Sequence, residues 1–423
     1  MDLRPSTKRH INVQVIAFMF PINVCHFTSR LSMSPIHSLL FAVAASTVST
    51  LAIPILQPTD VLRLSPDGSF QLSIFSDLHF GEAEDTLWGP LQDVKSAGVM
   101  DSVLDAENST GLVVLNGDLI TGENTFLHNS TKYLDAVVAP LVHRGMSWAS
   151  TYGNHDSDFN ISRQGIFEQE SKYSLSRTKN MVSSSDAGVS NYYLPVYGND
   201  SAVPEFLLWF FDSRGGNYFQ QSSSSSKSVP QPNWVSQSVV DWFTETRSAL
   251  EKKHNRVVPS VAFVHIPVNA MAAFQAQGVD THREPGINDD NPLAQQGSAS
   301  GQGDVSGAVF TYNGQDIPFM QALLDTKGLK AVFSGHDHGD DWCFRWNSKL
   351  KGMNLTGNGL DLCFDRRSGY GGYGSWTRGS RQVVLRKGKD DVQTWVRLED
   401  GSISGKVILN GTYGQDSYPF AKA

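Results

Sequence analysis

The chain has 423 residues, with 34 Lys plus Arg against 42 Asp plus Glu, a formal charge of −8. An apolar fraction of 40% and a charged fraction of 18% exclude a wholly disordered chain, and the length suffices for a sizeable core. The acidic balance leaves no basic footprint for general nucleic-acid binding, and three Cys exclude a disulfide-dense miniprotein or a Cys-rich zinc module.

Two apolar stretches precede residue 57. The first, 11–24, is interrupted by Asn12, Gln14, Pro21 and Asn23; the second, 39–45, runs on through small residues to Ala52. Neither is an unbroken run of the roughly 20 residues that a spanning helix needs. The second reads as the apolar region of a secretory signal with a small-residue cleavage zone, and Met33 just upstream is the expected true start. The alternative is an uncleaved signal anchor that leaves the chain attached to a membrane. Residues 1–52 are thus expected to be an N-terminal extension and signal peptide, and 61–423 a single domain. Six Asn-X-Ser/Thr sequons, at Asn108, Asn129, Asn160, Asn199, Asn354 and Asn410, predict N-glycans. Cys25 falls in the segment predicted to be removed, which leaves Cys343 and Cys363 as a candidate disulfide or as two buried thiols. The C-terminus has no second apolar tail and so no signal for a lipid anchor. The expected location is secreted or vacuolar.

From residue 61 onward, short apolar runs end in polar residues at 70–76, 112–117, 147–153, 206–212, 261–265 and 330–335. Several are nearly continuous, as strands buried on both faces are. Helical periodicity fills 91–107, then 133–142 with Gly145 as its stop. It returns over 235–253, where Val239, Trp242, Phe243 and Leu250 share a face. Alternating strands and helices predict an α/β domain. Runs at 381–386, 392–398 and 402–409 predict a C-terminal β-meander. The Ser- and Pro-containing stretch 220–232 and the Gly/Gln/Asn/Asp-rich stretch 275–307 read as long surface loops. The glycine-rich stretch 368–379, with Tyr370, Tyr373 and Trp376, reads as a turn before the meander or a loop beside the substrate, with the turn favoured.

Five motifs sit at the C-terminal ends of the apolar runs. They are Asp77-Leu78-His79, Gly117-Asp118, Gly153-Asn154-His155-Asp156, His265 and Gly335-His336-Asp337-His338. Ligands gather outside the carboxyl ends of strands in open α/β sheets. Imidazole, carboxylate and amide donors without thiolate suit Mn, Fe or Zn, and the donors suffice for two ions. Singly, each residue has a structural explanation: Asp77 and Asn154 as turn or capping residues, the glycines as turns, His265 as a core histidine. Five of the twelve His fall within the motifs, and that clustering favours a site; the others, such as His128 and His282, read as non-ligands.

The ordered set from residue 70 to His338 resembles the calcineurin-like metallophosphoesterases. The resemblance implies an αββα sandwich of two mixed β-sheets flanked by helices, with a dinuclear centre at its edge. It implies that Asp77, His79 and His338 hold one metal, that Asn154, His265 and His336 hold the other, and that Asp118 bridges them. His155 would contact the phosphate or protonate the leaving oxygen, Asp156 would orient His155, and Asp337 would support the ligands from behind or pack nearby. The implied reaction is hydrolysis of phosphate esters by a metal-bound hydroxide, with a phosphomonoester as the expected substrate. The alternatives are a phosphodiester, such as a cyclic nucleotide or phospholipid headgroup, or a non-catalytic secreted protein on the same fold. Purple acid phosphatases carry a Tyr where this chain has Thr121 and lack a His at the position of His79. The chain is more similar to the fungal and plant purple-acid-phosphatase-like branch with an Asp-Leu-His first motif, and no tyrosinate–iron colour is expected. Substrate choice is expected in the loops 81–90, 275–307 and 339–346. Asp340 and Asp341 would add negative charge there, Trp88, Trp342 and Tyr370 are candidate lining, and Arg214 is a candidate phosphate contact or a salt-bridge residue.

Overall fold

The computed structural model describes residues 61–199, 201–224, 228–298 and 312–421. The expectations for residues 1–52, including Met33 and Cys25, lie outside the described residues, as does Asp200 within the Asn199 sequon.

Every predicted apolar run is a strand. In chain order the strands are β1 (Leu62–Arg63), β2 (Ser69–Phe75), β3 (Thr110–Asn116), β4 (Trp148–Thr151), β5 (Tyr192–Tyr197), β6 (Pro204–Phe211), β7 (Asn217–Ser222) and β8 (Ser228–Pro230). They continue with β9 (Ser260–Val264), β10 (Leu329–Ser334), β11 (Cys343–Trp346), β12 (Leu360–Phe364), β13 (Gly379–Arg386), β14 (Val392–Leu398) and β15 (Ile403–Leu409). The helices are α1 (Gly89–Ala106), α2 (Tyr133–Arg144), α3 (Arg163–Glu170), α4 (Gln237–His254), α5 (Asn269–Gln275) and α6 (Ile317–Leu324).

One sheet has the order β15-β14-β13-β2-β3-β4 and the other β1-β5-β6-β9-β10-β12-β11. Strands β2, β3 and β4 run parallel, and the predicted meander β13–β15 extends that sheet antiparallel. In the second sheet β6, β9, β10 and β12 are parallel, with antiparallel β5 and β11 beside them. Both sheets are therefore mixed, as expected.

Strand alternation sorts the apolar side chains into three layers. Leu72 and Ile74 of β2, with Leu208 and Phe210 of β6 and Phe263 and Phe333 beyond, fill the space between the sheets. Phe210, Phe263 and Phe333 stack strand to strand at 5.0 and 5.8 Å, and each buried ring contributes about 1.5–3 kcal/mol. Leu207, Trp209 and Phe211, the alternate positions of β6, face outward into a layer with Val239, Phe243 and Leu250 of α4 and with α6. Val113 and Leu115 of β3 do the same toward α1 and α2. Helix α2 stops where predicted: Gly145 takes the left-handed conformation at φ 66° and its N–H caps Leu141 and Val142. The result is the αββα sandwich.

Three loop expectations are corrected. The stretch 220–232 is not all loop, since β7 and β8 pair as a two-stranded ribbon. Much of 275–298 is not surface loop: Ile287, Leu293 and Gln296 are buried, and Ala294 N–H donates to Asp337. The stretch 368–379 is no mere turn: a Cβ at Gly372 would lie 3.0 Å from the His338 ring and 3.1 Å from that of His79. Cys343 and Cys363 face each other across β11 and β12 and form a disulfide.

Candidate metal centre

The loops after β2, β3, β4, β9 and β10 meet at one edge of the sandwich, because these are parallel strands whose carboxyl ends point the same way within each sheet. The structure brings six of the predicted donors into two buried triads. Asp77, His79 and His338 offer atoms all within 4.8 Å of one another, and so do Asp118, His265 and His336. His79 Nε2 faces His338 Nε2 at 3.1 Å. His265 Nε2 lies 2.9 Å from Asp118 Oδ2 and 3.8 Å from Asp77 Oδ1, and His79 Nε2 lies 3.9 Å from Asp118 Oδ2. The two triads therefore adjoin through both carboxylates. Asn154 is buried between Gly153, which abuts Asp118, and His155, whose N–H donates to Asp118 Oδ1 at 2.8 Å.

Backbone strain is concentrated here. Asp77, His79, Asp118 and His336 all sit at positive φ, between 50° and 80°. Such conformations cost a side-chain-bearing residue energy and persist where the surroundings enforce them. The glycines of the motifs have a steric reason. A Cβ on Gly117, itself at φ 89°, would lie 2.4 Å from His265 Nδ1, and one on Gly153 would lie 2.2 Å from Asp118 Oδ1.

The donor set fits metal ions. His265 Nδ1–H donates to Asn116 O at 2.8 Å, while the Nδ1 atoms of His79 and His338 meet Thr121 Oγ1 and Tyr373 O, each at 3.1 Å. All three rings are held from behind, and Nε2 turns inward, the arrangement of metal-binding imidazoles. His336 Nε2 is buried without a hydrogen-bond partner, an expense a metal would remove. Burial holds His79 and His338 well below the usual imidazole value and takes His336 down to about 3, so their lone pairs are free near neutral pH. Burial also opposes charge on His265, but Asp118 and Asp77 outweigh it and raise the group to about 9. A metal would displace that proton. Burial lifts Asp77 to about 6, while on Asp118 the surrounding imidazoles outweigh burial and keep the carboxylate ionised.

His155 stands at the open edge of the cluster, 4.9 Å from the His79 ring and one-fifth exposed. Its expected partner is corrected. Asp156 does not orient it: Oδ1 accepts from Leu119 and Ile120 N–H and Oδ2 from Gly153 N–H, tying the β3 and β4 loops together. Glu123, from the turn after β3, holds His155 instead, with Oε1 2.6 Å from Nδ1. Burial would lower the imidazole pKa, but the Glu123 and Asp118 charges outweigh it and raise it to about 10. Glu123 carries no motif signature beyond lying five residues after Asp118.

Tyr373 was also unmarked as a site residue. Its ring stacks on His338 at 4.1 Å, and its hydroxyl donates to Asp290. Asp337 Oδ1 accepts from Ala294 N–H, tying the 290–296 stretch to the loop that carries His336 and His338. Asp340 and Asp341 do not charge a loop surface. Both are fully buried, Asp341 pairing with Arg366 at 2.8 Å and Asp340 accepting from the Trp342 indole. Arg214 makes no phosphate site: its guanidinium donates to Trp234 O. Trp342 is core, Trp88 is exposed, and the Tyr370 hydroxyl donates to Glu399.

The chain is similar to "Probable inactive purple acid phosphatase 29" of Arabidopsis thaliana, 29% identical over 378 residues that cover 81% of this chain and 86% of the relative. It is similar to "Phosphatase DCR2" of Saccharomyces cerevisiae, 29% identical over 355 residues, 80% of this chain and 55% of that longer protein. A crystal structure of a dimetal phosphatase from Danio rerio aligns with a TM-score of 0.47 and 14% identity, over 81% of this chain and 98% of that one. The calcineurin-like phosphoesterase pattern matches residues 71–340, the span holding both triads, and the chain belongs to the calcineurin-like phosphoesterase family.

Proposed function

We propose that the protein hydrolyses phosphate esters, with a phosphomonoester as the preferred substrate. The observation that carries this reading is the pair of adjoining buried donor triads with inward-facing Nε2 atoms. In this reading Asp77, His79 and His338 hold one ion, Asn154, His265 and His336 the other, and Asp118 serves both. Bound metal ions would acidify a water molecule and offset charge on the phosphoryl oxygens.

The residues around them have separable tasks. Thr121, Asn116 and Tyr373 set the ring orientations of His79, His265 and His338. Glu123 accepts the Nδ1 proton of His155, so the opposite nitrogen, Nε2, is the one presented to a phosphate ester. A protonated His155 both contacts the phosphoryl group and can pass a proton to the leaving alcohol oxygen. Asp156 keeps the loops that carry Asp118 and Asn154 in register. Tyr373 covers His338 and limits water at that ligand.

A phosphodiester is the second reading. Glu123, Asp289 and Asp290 give the surroundings a negative character, and Arg367, buried nearby, donates to the Gly371 and Gly374 carbonyls and not outward. A singly charged diester tolerates that field better than a dianionic monoester. Names such as "inactive" belong to the relatives; the presence of every expected donor here supports catalysis over a non-catalytic role. The Cys343–Cys363 disulfide supports passage through an oxidising compartment, and with it secretion or a vacuolar destination.

The test is turnover of a nitrophenyl monoester and a bis-nitrophenyl diester with Mn, Fe or Zn added in turn, beside His336→Ala. Metal-dependent turnover that the variant loses is expected. A folded chain inactive with every metal on both esters would refute the reading.

A further inference from the structure

The residue before Asn154 is clamped from both sides. Gly153 N–H donates to Asp156 Oδ2 at 2.8 Å, and the Gly153 carbonyl accepts from Arg163 Nη2 at 2.6 Å. Arg163 is the first residue of α3, after the N-cap Ser162, and is only 4% exposed. The same Nη2 donates to Gly215 O at 3.0 Å, in the loop after β6. Nε faces Asp212 Oδ1 at 3.3 Å, just past the end of β6, where Asp212 is fully buried. Asp212 is fixed in its turn, accepting from Arg214 N–H at 2.7 Å and from Val189 N–H at 2.8 Å. One guanidinium therefore joins α3, the β4 loop of one sheet and the β6 loop of the other.

The loop so held is the one that carries Asn154. Gly216, next to the Gly215 that Arg163 draws in, packs directly on it: a Cβ there would lie 2.1 Å from Asn154 O. Two residues after Gly153, His155 N–H reaches Asp118 Oδ1 at 2.8 Å. Asn154 thus lies between the Arg163 clamp and the shared carboxylate. Among the proposed ligands it alone has a neutral amide oxygen. A carboxylate is drawn toward a cation by charge, whereas an amide oxygen offers only a dipole, so its placement must be built into the backbone. A buried ion pair is weak evidence for stability as such. This one directs a short, charge-assisted hydrogen bond at the peptide next to a ligand, where geometry matters most.

We propose that Arg163 is the positioning residue for Asn154. Its planar fork holds the Gly153 carbonyl and the Gly215 turn against the buried Asp212, and so fixes the loop that presents the amide to the ion of His265 and His336. The ligand role of Asn154 rests on the phosphoesterase reading; the clamp on the loop does not. Lys cannot replace Arg163, because a single ammonium lacks the fork that meets a carboxylate on one edge and two carbonyls on another.

The test compares the full-length chain with Arg163→Lys, which keeps the charge beside Asp212, and with Arg163→Gln; melting curves check folding. Amide hydrogen exchange is measured first, without metal. The wild type should protect residues 152–157, and both variants should exchange there at least about tenfold faster while residues 76–80 stay unchanged. Zinc titration follows, its two steps assigned with His338→Ala and His336→Ala. Both Arg163 variants should weaken the His336 step by about ten- to a hundredfold and the His338 step by less than about threefold. Fast exchange at 152–157 in the wild type overturns the proposal, and so do variants that keep wild-type protection and zinc affinity. Equal weakening of both steps, with faster exchange at 76–80, overturns it in favour of a general structural role. A Lys variant that matches the wild type while the Gln variant fails overturns the fork and leaves only charge. A wild-type chain that binds no zinc refutes the metal reading, and the exchange data still decide whether Arg163 holds the loop.

Discussion

Gly153→Ala tests how tightly the centre is built. The added Cβ would fall 2.2 Å from Asp118 Oδ1, 2.5 Å from Asp118 N and 2.7 Å from the His265 ring, against a floor of 3.0 Å for real Cβ contacts. The backbone at Asp118 has little room to retreat. It follows β3, which is paired on both sides, and Asp156 pins the neighbouring Leu119 and Ile120 N–H groups. The strain must therefore rotate the Asp118 carboxylate or push the β4 loop out. Overpacking of this kind costs about 1–3 kcal/mol, and displacing a shared ligand should lower metal affinity by about ten- to a hundredfold or more. Gly98→Ala is the control. It lies within α1 with nothing within 4 Å of its added Cβ, and should stabilise the chain by about 0.5–1 kcal/mol. Thermal melting, metal titration and turnover on both nitrophenyl esters read the three effects. If Gly153→Ala bound metals with wild-type affinity and kept its turnover, the claim that close packing at Asp118 sets the centre would be wrong.

Glu123→Gln should lower kcat on the order of ten- to a hundredfold with KM little changed, because His155 loses its anchor and not the substrate its ligands; an unchanged kcat would return the positioning role to another group. Burial pushes Glu284 up to about 7, against the opposing Asp280 N–H. Its unfolded value is about 4.3, so its contribution is fully present below about pH 4, is lost as the pH rises toward 7, and stays absent above. Glu284→Gln should therefore gain in Tm relative to wild type at pH 8 compared with pH 5, and parallel Tm–pH curves would contradict this. Replacing Cys343 and Cys363 together by Ala should lower the unfolding free energy by about 3 kcal/mol in urea titration, and a loss near zero would mean the strand pairing alone closes that loop.

Strand ends were legible for a physical reason. Parallel strands covered on both faces must be nearly all apolar, so the first polar residues after them mark the sheet edge, where Asp77, Asp118, Asn154, His265 and His336 lie. Helices α1, α2 and α4 were legible from their buried stripes and from Gly145. Partnership between loops was not. His155 and Glu123 are 32 residues apart, and nothing local distinguishes that carboxylate from the adjacent Asp156, which the backbone had already claimed. Asp340 and Asp341 read as surface charge because their compensation comes from Trp342 and the distant Arg366. The stretch 275–307 read as a long surface loop and the glycine-rich 368–379 as a turn by composition, yet tertiary packing lays Asp290, Ala294 and Tyr373 against the centre.

Periodicity and residue chemistry are local quantities, and from them alone followed the α/β class, the C-terminal meander and the inventory of nitrogen and oxygen donors. Which donors share a triad, which carboxylate holds His155 and which face of α1 stays bare depend on strand order and on distances of a few ångströms between segments far apart in the chain. Hydrogen bonds and metal sites discriminate at that scale, and only the folded arrangement of the two sheets sets it.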